Sequence, residues 1–179
     1  MSLPITPYPN WAKLLHLGLA VFGIAAYATG ELAEGGPSAF GYLLHAYLGL
    51  SLGAVMLTRF FVGLGTRNPL AFRTWRPLSR AQRQRTAEDI RTLFRGKLPE
   101  RDHHNGLAGV VQAAGLILFF WMSLTGTALF LLGDSAPFVG ELHEVGESLI
   151  PLYLGLHVGA VVLHALAGDP VWKRMFSSR

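Results

Sequence analysis

Five of the seven histidines in this chain fall inside long apolar stretches: His16, His45, His143, His157 and His164. An imidazole is costly to place among hydrocarbon, and five such placements point to ligation rather than to incidental core polarity. His143 and His157 are 14 residues apart on one stretch. On an α-helix that spacing leaves them about 40° apart around the axis and about 21 Å apart along it. One helix thus offers two imidazoles to one side, at two depths. His45 lies near the start of its stretch, as His143 does of its own, and His16 lies about as deep as His157. Two pairs result, one high (His45, His143) and one low (His16, His157). A bare metal ion usually wants three or four protein ligands. A pair on facing helices suits a six-coordinate haem iron, whose porphyrin supplies the other four nitrogens. Cysteine is absent, which excludes disulfides, thiolate metal sites, iron–sulfur clusters held by this chain and covalent c-type haem. His164 lies seven residues beyond His157, on nearly the same face and about 10 Å further along. It is an alternative low ligand; the depth argument favours His157 and leaves His164 to meet a haem propionate or line a proton path.

The elements that must position these side chains are four spans, at approximately 11–30, 41–65, 106–133 and 142–168. Each is near or above the roughly 20 residues that cross a bilayer as a helix, and lipid leaves helix as the only reasonable conformation for them. Charged residues make up only 15% of the chain, against roughly 25% in an ordinary soluble domain. A soluble helix bundle would need charged helix faces, which these spans lack. The first span does not read as a signal peptide, having an internal histidine and no clear basic leader beyond Lys13. The expected fold is all-α: a single membrane domain, 1–179, built as a four-helix bundle. Glycines at 18, 23, 49, 53, 155 and 159 flank the ligand faces; they serve either to make room for a porphyrin or for plain helix packing.

The charge distribution sets the orientation. All fifteen Lys and Arg residues lie at Lys13, between Arg59 and Arg101, or at Lys173, Arg174 and Arg179. The first and third connections and their edges carry Glu31, Glu34, Asp134, Glu141, Glu144 and Glu147. The positive-inside rule puts both termini and the basic loop 66–105 in the cytoplasm. Within that loop, Ser79 to Arg95 reads as a short helix capped by Ser79, with Ile90, Leu93 and Phe94 on one face. Such a helix lies on the anionic leaflet. The net charge of +4 therefore points to membrane lipid and not to nucleic acid.

These features resemble the prokaryotic cytochrome b561 family, which includes the B-type cytochromes of nickel–iron hydrogenases and the gamma subunits of formate dehydrogenases. The resemblance covers all four spans. It rests on WAKLLHLGL, on LLHAYLGLSLGAVMLTRFF, on HHNGLAG followed by SLTGTALFL, and on LHEVGESLIPLYLGLHVGAVVLH followed by GDPVWKRMF. It implies two non-covalent b haems, ligated by His45 with His143 and by His16 with His157, as the depths suggest. It also implies a quinone site at the cytoplasmic start of the third span, formed by Asn105, Gly106 and Leu107 beside His157; Asn105 is equally suited to cap that helix. Arg59 resembles the family's arginine at the end of the second span, suited to pair with a propionate or to snorkel to headgroups. His103 and His104 lie outside the hydrocarbon and read as interfacial polar residues rather than ligands.

The expected protein is a multi-pass cytochrome b of a bacterial inner membrane, moving electrons between an extracytoplasmic redox partner and the quinone pool. The chain carries no nucleotide-binding glycine motif and no nucleophile–base arrangement, so substrate chemistry beyond electron transfer belongs to a partner such as a periplasmic oxidoreductase or a cytochrome. A free-standing superoxide:quinone oxidoreductase and a haemless membrane transport or structural protein are the competing readings. A homodimer is compatible with the sequence. The topology is directly testable. An alkaline phosphatase reporter fused after Arg179 is expected to be inactive, and a fluorescent protein at the same point to be bright; the opposite pattern would reverse the assigned orientation.

Overall fold

The computed structural model describes residues 7–74, 79–99 and 106–176. Every regular element among them is helical. The four spans are α1 (Asn10–Ala28), α2 (Phe40–Leu64), α4 (Leu107–Leu132) and α5 (Pro137–Leu166), with α3 (Arg80–Phe94) between the second and third and a short α6 (Lys173–Phe176) after the last. All four long helices have the length and apolarity to cross a membrane. The bounds fall close to those expected, except that α5 begins at Pro137, five residues early. Proline is favoured in the first helical turn, where its missing N–H has no intrahelical acceptor to lose.

Large apolar side chains on these helices point outward. Leu14, Phe61, Ile117 and Leu163 are all more than half exposed. In water such a surface would drive aggregation; against lipid tails it is the expected exterior. The interior is small. Leu52, Met56 and Phe119 form one buried cluster, and Leu118, Met122 and Ile150 a second. Both belong to the middle of the bundle, since Ile150 falls midway between His143 and His157. The helices pack in the order α1 on α2, α2 on α4 and α4 on α5. Between α5 and either α1 or α2 there is little backbone contact. Close approach of α4 and α5 depends on Gly115, where a Cβ would overlap the Tyr153 ring.

The basic loop is more than a lipid-surface segment. Ser79 caps α3 as expected, accepting from the Gln82 N–H at 3.2 Å. Gln82 and Asp89, however, are buried at 3% exposure and bind the start of α4. The Gln82 amide donates to the Gly106 carbonyl at 2.9 Å and its oxygen accepts from the Gly106 N–H at 3.2 Å. The Asp89 carboxylate accepts from the Leu107 N–H at 2.8 Å. Two donors at the α4 N-terminus are thus satisfied by another helix, and a carboxylate there also meets the positive end of the helix dipole. Gly106 itself has φ 64°, a left-handed conformation that favours glycine. Ile90, Leu93 and Phe94 stay exposed on α3, available to the leaflet.

Asp89→Ala removes a charge-assisted hydrogen bond of the kind that contributes about 1.5–3 kcal/mol. Amide exchange of residues 80–94 is expected to accelerate roughly ten- to hundredfold, with α1, α2 and α5 unchanged. Unaltered exchange in α3 would show that Asp89 does not hold it down.

Candidate cofactor sites between the helices

The high pair joins α2 to α5. The rings of His45 and His143 have centroids 6.2 Å apart and planes at 89°. Each ring is fixed through Nδ1. The His45 Nδ1 lies 2.9 Å from the carbonyl of Ala26, in the last turn of α1. A carbonyl only accepts, so Nδ1 carries the proton. The His143 Nδ1 lies 2.8 Å from the hydroxyl of Thr125 on α4. That hydroxyl donates its own proton to the Trp121 carbonyl at 2.9 Å, so it accepts from His143. Both imidazoles therefore keep Nε2 free as a lone-pair donor. Fixing the remote nitrogen in this way sets ring orientation and raises ligand basicity.

The low pair joins α1 to α5. His16 and His157 have ring centroids 6.1 Å apart and planes at 54°. Tyr153, one turn before His157, stacks on it at 5.7 Å and 14°. The edge of Tyr153 meets Phe119 at 5.9 Å. A continuous run of rings thus leads from the buried middle of the bundle to the low pair.

The separations discriminate between kinds of ligand. A metal–imidazole bond is about 2.0–2.1 Å and the nitrogen sits about 1.1 Å from the ring centroid, so two imidazoles on opposite sides of one metal have centroids about 6.2–6.4 Å apart. Both pairs fall at or next to that span. No group of three or more His, Asp or Glu able to hold a metal exists among the described residues. A bare ion would lack ligands, whereas a metal carrying its own equatorial donors needs only two. The glycines divide between the two roles open to them. A Cβ at Gly18 would press on Val55 at 3.3 Å and one at Gly23 on Phe119 at 2.9 Å, while Gly53 lies against Ser123. These serve packing. Gly49, one turn after His45, faces no protein atom within 4 Å among the described residues, which leaves α2 smooth beside its ligand; Gly155 and Gly159 are likewise clear of protein atoms but lie about 160° around α5 from His157, on the opposite face.

The remaining candidates are distributed as follows. Arg59 is buried near the C-terminal end of α2 with the Phe72 ring over it, so it does not reach out to headgroups. His164 belongs to neither pair; its Nδ1 is 3.4 Å from the Asp169 carboxylate. The Gly106 and Leu107 N–H groups are engaged by α3. Asn105, His103 and His104 lie outside the described residues. Sequence reasoning missed Thr125 and Tyr153. A threonine inside an apolar span was the available signal for the first, and a ring four residues before a ligand for the second.

Two opposed histidine pairs at two levels of a four-helix bundle, with no third ligand beside either among the described residues, fit a metal that brings its own equatorial donors. The chain belongs to the prokaryotic cytochrome b561 family, whose sequence profile matches residues 7–178. It is accordingly a membrane b-type cytochrome of electron transfer, and it binds b-type haem. No curated protein and no solved structure matches the chain.

Thr125→Val leaves the Nδ1–H of His143 buried without an acceptor, at a cost of about 1–3 kcal/mol. The expected results are a lower melting temperature and faster haem loss, with Thr125→Ser close to wild type. Identical melting of Thr125→Val and wild type would show that the bond contributes nothing.

Proposed function

We propose that the chain is a dihaem cytochrome b that conducts electrons across the membrane between an extracytoplasmic redox partner and quinone. The observation that carries this reading is the pairing of His45 with His143 and of His16 with His157 at 6.2 and 6.1 Å, on two levels. The haem iron, when bound, supplies the reversible one-electron chemistry. The protein's part is ligation and tuning. His45 and His143 would hold the outer haem, oriented by the Ala26 carbonyl and the Thr125 hydroxyl. His16 and His157 would hold the inner one, with Tyr153 packed on the latter. Two levels about 21 Å apart along α5 divide the passage across the hydrocarbon into shorter steps.

The charge asymmetry supports an orientation with both termini and the loop containing α3 in the cytoplasm. The outer haem would then meet the extracytoplasmic partner and the inner one the quinone. We assign quinone exchange to the cytoplasmic start of α4, at Asn105, Gly106 and Leu107. Because Gln82 and Asp89 already engage the backbone of the last two, a quinone carbonyl there would depend on the Asn105 amide or displace these side chains. This second possibility links quinone binding to the docking of α3.

The pyridine haemochrome assay tests the central claim. Wild type is expected to contain two b haems per chain. His45→Ala or His143→Ala should remove one, His16→Ala or His157→Ala the other, and His164→Ala neither. One haem or none per wild-type chain would overturn the dihaem reading. Loss of the inner haem in His164→Ala but not in His157→Ala would overturn the ligand assignment.

A further inference from the structure

The two histidine pairs are oriented by different means. At His45 and His143 a hydrogen bond holds each Nδ1. At His16 and His157 no hydrogen bond among the described residues reaches a ring nitrogen. His157 is met instead by the ring of Tyr153, 5.7 Å away and inclined to it by only 14°.

The register of α4 against α5 explains the difference. The two helices run antiparallel, and their contacts climb in step: Thr125 on His143, Met122 on Gly146, Gly115 on Tyr153. One turn further along, the same register sets Val111 opposite His157. Valine has no oxygen to accept from an imidazole. So α4 offers His157 no counterpart of the Thr125 hydroxyl, and the last side chain it seats before that ring is Tyr153.

Tyr153 is seated at a weak point of its own helix. Pro151 lies two residues before it, inside α5. A proline there lacks the N–H that would bond the carbonyl four residues back, that of Glu147. The backbone thus ties the half of α5 that carries His157 less tightly to the half that carries His143. Packing of the Tyr153 side chain offsets that loss. Its phenol end lies against the buried Gly115, where a Cβ would overlap both the hydroxyl and the ring. Its edge meets Phe119 at 5.9 Å, and it packs against both buried clusters.

A ligating histidine needs its ring plane set as well as its nitrogen presented, and a neighbouring group usually does so by hydrogen bonding. We propose that Tyr153, seated in the notch at Gly115, is the positioning residue of the low pair, its stack setting the plane of the His157 ring where no hydrogen bond does. The proposal rests on the inner-haem reading above. In low-spin ferric haem with two axial imidazoles, the angle between the ring planes governs the anisotropy of the g-tensor. The low-field electron paramagnetic resonance feature of each haem therefore reports its ring planes. Spectra are recorded on the oxidised full-length protein, with His45→Ala and His16→Ala assigning the two features. Tyr153→Leu is expected to shift and broaden the inner feature, and Tyr153→Phe to leave it at the wild-type field. Gly115→Ala should reproduce the effect of Tyr153→Leu with the tyrosine still present. The outer feature should stay fixed in all three, whereas a general loosening of the bundle would move both. Without the stack, the inner haem should also pass to apomyoglobin about two- to tenfold faster, the equivalent of one aromatic pair. A wild-type inner feature in Tyr153→Leu would overturn the proposal, as would a shift of equal size in Tyr153→Phe. An unmoved inner feature in Gly115→Ala would overturn the part given to the notch. If Gly115→Ala does not fold, the two Tyr153 variants still decide the matter. Should His16→Ala retain both features, the inner-haem reading itself fails, whichever way the tyrosine variants behave.

Discussion

A neutral imidazole in a hydrocarbon layer has one nitrogen that must donate and one that must accept, and neither can turn to water. The bundle meets that demand at the pair formed by His45 and His143 by splitting it. One nitrogen of each ring is held by the protein: His45 by the Ala26 carbonyl, His143 by the Thr125 hydroxyl. The other is left for a ligand. The holding groups come from helices other than those that carry the rings. Ala26 is on α1 and holds a ring of α2; Thr125 is on α4 and holds a ring of α5. All four spans thus take part in orienting one pair, and a shift of any of them moves a ring.

The packing follows from the same demand. Helices that closed tightly around a dry core would leave the histidines pressed against apolar side chains. Here the apolar core is confined to the middle, in the clusters around Met56, Phe119, Met122 and Ile150, and α5 packs chiefly on α4. Across the gap to α1 and α2, imidazoles face each other at two levels, and between them Tyr153 packs on the cluster of Leu52, Met56 and Phe119. Small residues divide between packing and clearance accordingly, with Gly23 under Phe119 and Gly49 bare beside His45. Tight association in lipid comes from close van der Waals fit, so a helix with little such fit to α1 and α2 relies on what stands between them.

Much of this was legible in the chain because membrane spans expose their rules. Apolar length gave the four helices, and counting residues along them placed His16 with His157 and His45 with His143. The helix start at Pro137 lay hidden because Phe138 to Glu141 carry no strong apolar period. The docking of α3 was not legible either. Gln82 and Asp89 look like ordinary solvated residues, and their burial comes from hydrogen bonds to backbone 24 and 18 residues further on. Thr125 resembles any threonine bonded back to its own helix until the crossing of α4 and α5 sets it against His143. The bond from the Tyr8 N–H to the Arg174 carbonyl joins two remote parts of the chain, and no local pattern announces such a junction.

The position of α5 in the chain has a consequence for how the protein is made. It follows the other three spans of the bundle, and it supplies one histidine to each pair. Chains emerge from the ribosome amino end first, and early segments fold as they appear. The hairpin of α1 and α2 can therefore assemble in the membrane with His16 and His45 already in place, each half of a site. Neither half has its counterpart until α5 has been translated and inserted. On the proposed dihaem reading, no nascent chain can mature before α5 is inserted, and insertion of that helix becomes the precondition for colour.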